Sequence, residues 1–171
     1  IDNRDILPVD ITQREPIARI FCADGSGFYL DSTLKEMPVK LGYAFPAPVF
    51  TNVRLLRQDS MNKILMQKIA SLSKAINKDS FWNAQIEQIE VQPDQTFVLI
   101  PLLGNQRIIL GDTSGLKNKL DNLFAFYQQV PGKIGWNAYQ TLDLRFENQI
   151  IAAPSLETPV PKSAFPAETG G

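Results

Sequence analysis

The stretch "LGDTSG" (110–115) sets two glycines, an acid and two hydroxyl residues ahead of a helix-like run. Phosphates sit on such helix starts, where unpaired backbone N–H groups point outward. The Lys of a P-loop and the spacing of a dinucleotide fingerprint are both missing, so a capped helix start accounts for the stretch. "DGSG" (24–27) has the look of a calcium loop. It lacks the regular acidic spacing and the closing Glu, and it reads as a turn. Asp5 with Asp10, and Glu87 with Glu90, offer carboxylates for acid–base work. Scattered as they are, they read as solvated turns and strand faces. The chain has no histidine. That removes the commonest general base and metal ligand, and with them Ser/His and Cys/His nucleophile pairs. Cys22 is the single cysteine and sits in apolar "IARIFCA". It reads as a small buried hydrophobe, since no base activates it, and no Cys cluster exists for zinc. These residues predict a protein that is not an enzyme, with no cofactor and no metal site.

The elements that carry these residues belong to an ordinary globular chain. It has 171 residues, 44% hydrophobic and 20% charged, enough for one domain plus appendages. Seventeen basic against eighteen acidic residues give a net charge of −1, so no basic face for nucleic acid is expected. The chain begins at Ile1 and not Met, which predicts a fragment of a longer protein. No apolar run approaches the roughly 20 residues of a membrane span and no signal peptide is visible, which leaves room for an anchor upstream.

Residues 1–39 read as β. "IARIF" and "FYLD" flank the "DGSG" turn as a two-strand unit, and "STLKEMP" comes next as a polar turn. "GYAFPAPVF" (42–50) reads as an irregular apolar link, because its prolines refuse the ladder, and a domain boundary is set near residue 40. "DSMNKILMQKIASLSKAIN" (59–77) carries Met61, Leu65, Ile69, Leu72 and Ile76 at helical spacing. "SFWNAQIEQIEVQPDQTFVLIPLLGNQRIILG" (80–111) reads as a β-meander, with turns at "PDQ" and "GN". A second helix spans 112–130, with Leu116, Leu120, Leu123, Phe124 and Tyr127 on its buried face. The fold class is α+β: an antiparallel sheet with two amphipathic helices packed on it.

"YQTLDLRFENQII" (139–151) alternates as one long strand, with Leu142, Leu144 and Phe146 on one face and Asp143, Arg145 and Glu147 on the other. From residue 153 the chain runs into a Pro-rich tail expected to be disordered. A strand that closes a domain either pairs internally or offers its edge to another chain. Edges are commonly guarded by charge, and on the residues alone Arg145 and Glu147 read as guards.

Two stretches give this chain a family likeness. "ILPVDITQREPIARIFCADGSGFYLDSTLKEMP" resembles the end of the POTRA module of the bacterial cell-division family FtsQ, also called DivIB. "NKLDNLFAFYQQ" with "YQTLDLRFENQIIA" resembles the last helix and final strand of that family's β domain. The likeness covers most of residues 6–152. It implies three parts: residues 1–39 as the last strands of a truncated POTRA module, 40–152 as an FtsQ-type β domain, and 153–171 as the tail. It also implies a non-enzymatic scaffold of the divisome, the periplasmic part of a single-pass inner-membrane protein anchored by an N-terminal helix. Its partners would be FtsB and FtsL, with the FtsB-type partner adding a strand to the edge of the final β-domain strand. Carried over, the Arg of "DLR" is Arg145, and after it Phe146, Glu147, Asn148, Gln149 and Ile150 complete the partner surface. The likeness thus turns the guards into partner contacts.

Phe146 stands where the family often has Tyr, so a hydroxyl contact is lost. The strand and two helices that open a POTRA module would lie ahead of residue 1. Residues 1–39 are therefore expected to extend the β domain, or to self-associate with a neighbouring molecule. A POTRA-bearing component of outer-membrane protein assembly or polypeptide transport is the alternative. It is disfavoured because residues 40–152 show two amphipathic helices and no series of barrel strands. A peptidoglycan-modifying enzyme ranks third, for want of a catalytic set.

Overall fold

The computed structural model describes residues 14–40, 42, 44–56, 59–129, 135–146 and 149–155. Within them the order is β1 (Pro16–Cys22), β2 (Gly27–Asp31), β3 (Glu36–Met37), β4 (Val49–Val53), α1 (Asp59–Lys78), α2 (Ser80–Gln85), β5 (Ile86–Val91), β6 (Phe97–Pro101), β7 (Arg107–Gly111), α3 (Leu116–Gln129), β8 (Tyr139–Asp143) and β9 (Ile151–Pro154). The nine strands make one sheet in the order β3-β2-β1-β4-β5-β6-β7-β8-β9. The α+β class is as expected. The sheet is mixed, however, and not purely antiparallel: β1 with β4, β4 with β5, and β7 with β8 run parallel.

The parallel pairs have a simple cause. Neighbouring parallel strands need a crossover that carries the chain back to the starting end. Helices α1 and α2 make that crossover between β4 and β5, and α3 makes it between β7 and β8. Strands β1 to β3 continue the same sheet, through the parallel pairing of β1 with β4. Sheet and core run across residue 40 without a break.

Alternation along the strands gives the sheet two unlike faces. Ile20, Phe50, Ile89, Leu99 and Ile108 are fully buried beneath Leu65, Ile69 and Leu72 of α1 and Leu123 of α3. Cys22 is buried in the same cluster. The other face is mixed: the Gln88 amide donates to Thr51 Oγ1 at 2.8 Å and Arg107 pairs with Glu90, while Tyr29 and Val98 on the same side are buried. Met61 and Phe124, expected to be buried, are 41% and 37% exposed, because each sits at the rim of its helix stripe.

Helix α2 stands where the meander was expected to begin. Asp79 caps it, accepting from the backbone N–H groups of Phe81 at 2.9 Å and Trp82 at 3.4 Å. Phe81 then meets Phe124 of α3 edge to face, with ring centroids 5.0 Å apart, and Trp82 lies 6.1 Å from Tyr127. The stretches "STLKEMP" and "GYAFPAPVF" each yield part of a strand, β3 and the start of β4.

Four turns share one device, an Asp whose Oδ1 accepts from both the backbone N–H and the hydroxyl two residues on. They are Asp24 with Ser26, Asp31 with Thr33, Asp94 with Thr96 and Asp112 with Ser114. "DGSG" and "LGDTSG" are two of these, so their acids are spent on local backbone.

Candidate partner-binding edge

The run 139–151 is not one strand. β8 ends at Asp143, and the chain returns as β9, antiparallel to it, with Leu142 opposite Ala152 and Asp143 opposite Ile151. The local chemistry shows why. Leu144 N–H donates to Ile109 O at 2.9 Å, continuing the bonding to β7. The Asp143 carboxylate then accepts from the Arg145 backbone N–H at 3.0 Å, an Asx-type bond that competes with the ladder. Leu142 and Leu144 are buried as the alternation predicts, but Phe146 lies past the strand end and is 46% exposed. β8 therefore has neighbours on both sides, β7 and β9. Among the described residues, the edge of the sheet at this end is β9.

The two edges of the sheet are built differently. β3 has two residues, one of them Glu36. The Arg14 guanidinium reaches across it, donating to the carbonyls of Lys35 and Glu36 at 3.3 Å each while paired with Asp31. That edge is short, charged and capped. β9 is Ile151-Ala152-Ala153-Pro154, with no charged residue and with Ile151 47% exposed. Pro154, at its last position, is the one residue there that resists pairing.

The six residues expected to form the partner surface divide among several places. Arg145 and Phe146 line a cavity of about 590 Å³, whose other walls come from Thr96 ahead of β6, the β7–α3 turn and the first turns of α3, including Asp112, Asn118, Lys119 and Asn122. Gln149 is exposed, and Ile150 is half-buried against the core. Glu147 and Asn148 lie outside the described residues.

Hydrogen bonds to Arg145 hold the Asp143 carboxyl below the usual Asp range, and the same bonds raise the guanidinium of Arg145. Bonds from the Ser114 hydroxyl and Lys119 ammonium bring Asp112 down to about 2. At neutral pH the cavity wall therefore presents two ion pairs, two Asn amides and an aromatic ring.

The edge strand β9 is not evident from sequence. Its signal is weak: the polar "ENQ" between "LDLRF" and "IIAAP" marks a turn, but four small or apolar residues ending in Pro look like the start of a tail.

The family described as FtsQ/DivIB, C-terminal related, matches residues 15–153, from the start of β1 into β9. The chain belongs to that family, and membership ties it to bacterial cell division through a family of non-enzymatic, membrane-anchored scaffolds. No curated protein matches the chain. Among the described residues no helix is long and apolar enough to cross a membrane.

Proposed function

We propose that this chain is the periplasmic part of a divisome scaffold, held at the inner membrane by an N-terminal helix, and that it binds FtsB- and FtsL-type partners by strand addition along β9. The observation that carries this reading is the difference between the edges. Open edges invite pairing, and natural sheets blunt them with charge, brevity or cover. The β3 edge has all three, while β9 has four uncharged residues and a half-exposed Ile151. In strand addition the main chain supplies affinity and alternate side chains supply specificity. The incoming strand lies beside Ile151–Pro154, with Arg145, Phe146, Gln149 and Ile150 at the near end; Glu147 and Asn148 stay partner contacts on the family likeness alone.

The test is calorimetric titration with the purified periplasmic segments of FtsB and FtsL from the same cell. The variant is Ala153→Lys, which gives the exposed edge the charge it lacks. Affinity is expected to drop at least about tenfold, with the melting temperature unchanged, since Ala153 faces solvent. Equal affinity for wild type and variant would place the contact away from β9.

A further inference from the structure

We infer that Asp143 and Gly111 are positioning residues for Arg145, fixing its guanidinium in one pose in the cavity wall before any partner arrives. The inference rests on the partner reading above. Two independent constraints act on this one side chain. The Asp143 carboxylate accepts from Arg145 Nε at 3.0 and 3.1 Å and from Nη2 at 2.7 Å, besides the backbone bond. This two-pronged pairing fixes the plane of the guanidinium. On the other side Gly111, at φ +75°, leaves a notch for the stem. A Cβ there would stand 2.8 Å from Arg145 Cγ and 3.4 Å from Cδ. Any other residue at 111 would push the stem away and strain its own backbone.

The anchors sit on the strand pair that positions the site. Asp143 pairs with Ile109 on β7 and Ile151 on β9, so the carboxylate is itself locked between the sheet interior and the free edge. The Asp143 side chain is 13% exposed against 56% for Arg145, the arrangement of a buried anchor and a presented head. Arg has five N–H donors, and Asp143 engages only Nε and one Nη nitrogen. Donors remain for the carbonyls or carboxylates of an incoming chain. An exposed arginine ordinarily loses rotamer freedom on binding; one already held does not.

The experiment is a double-mutant cycle with the FtsB segment, joined to exchange of the Arg145 Nε–H proton by NMR in the unbound protein. Asp143→Asn is expected to weaken binding about two- to tenfold. In an Arg145→Ala background the same change is expected to cost nothing more, because its effect passes through Arg145. The Arg145 Nε–H should exchange more slowly than that of exposed Arg54 in the wild type, and lose that protection in Asp143→Asn. Equal losses in both backgrounds, or an Arg145 proton as labile as that of Arg54, would overturn the inference. If Asp143→Asn melts early, the wild-type exchange rates decide it alone. If the wild type binds no FtsB segment, the strand-addition reading falls, and the exchange rates still settle whether Arg145 is held.

Discussion

Replacing Asp31 by Asn tests the guarded edge. The carboxylate is almost completely buried, yet it accepts from Thr33 N–H and Oγ1, from Lys35 N–H at 2.9 Å and from Arg14 Nε. Burial pushes its pKa up, and these four donors outweigh it, bringing the value from 3.8 down to about 2. At about 1.4 kcal/mol for each pH unit, that drop corresponds to about 2 kcal/mol of stability. Arg14 is 43% exposed, so solvent screens its share and about 1–2 kcal/mol remains. The depressed value fixes the sign. The contribution is complete above pH 3.8, the unfolded value, and is lost as pH falls through about 2. The assay is urea unfolding monitored by the fluorescence of Trp82, which is 2% exposed when folded. Wild type and Asp31→Asn are compared across pH, so that the other acids cancel. The stability gap is expected to hold constant from neutral pH to about pH 4 and to narrow by about 1–2 kcal/mol by about pH 2. A gap that does not change would show that the donors around Asp31 do not favour its charged form, and the reasoning would fail. With the clamp weakened, the β3 edge should also pair between molecules, visible as a concentration-dependent rise in mass by light scattering.

The packing sets further outcomes. Gly104→Ala sets a Cβ against the Gln106 amide and 3.1 Å from the Trp136 carbonyl oxygen, at a residue with φ +90°; denaturant melts should show a loss of about 1–3 kcal/mol. Tyr127→Phe takes away the acceptor that Gln106 Nε2 reaches at 2.8 Å in a buried site, for a loss of about 1–3 kcal/mol by the same measurement. Ile69→Ala opens a hole beneath the sheet at a fully buried position of α1, and calorimetry should record a loss of about 2–5 kcal/mol.

Periodicity makes the long elements legible. The α1 stripe shows in Leu65, Ile69, Leu72 and Ile76, and all four are buried as their spacing predicts. The β5–β6–β7 meander is legible because Asp94 and Gly104 announce their turns. Direction is not. The sequence places a helix between β7 and β8, and two strands joined by a helix lie parallel when they are neighbours, but adjacency is a tertiary fact. Helix α2 is hidden because its six residues are too few for a period, and Asp79 shows as a cap only once the chain turns there. The return into β9 is hidden for a related reason. Asp143 and Arg145 fit the alternation perfectly well, and only their mutual bonding reveals that the strand stops.

That bonding also joins the two halves of the candidate site. The same carboxylate that ends β8 holds Arg145 at the cavity, and its residue pairs with Ile151 at the start of the open edge. The end of β8 and the held cation thus both involve one residue, which also pairs with the first residue of β9. Along that strand the side chains are small, Ala152 and Ala153, and Ala152 turns toward the core. A neighbouring backbone can approach such a strand closely without displacing bulk, and Ile151 supplies apolar surface for it to cover. The opposite edge offers an incoming chain a glutamate and an arginine already bonded across the carbonyls it would need. Under the strand-addition reading, an incoming strand would meet less obstruction at β9 than at β3.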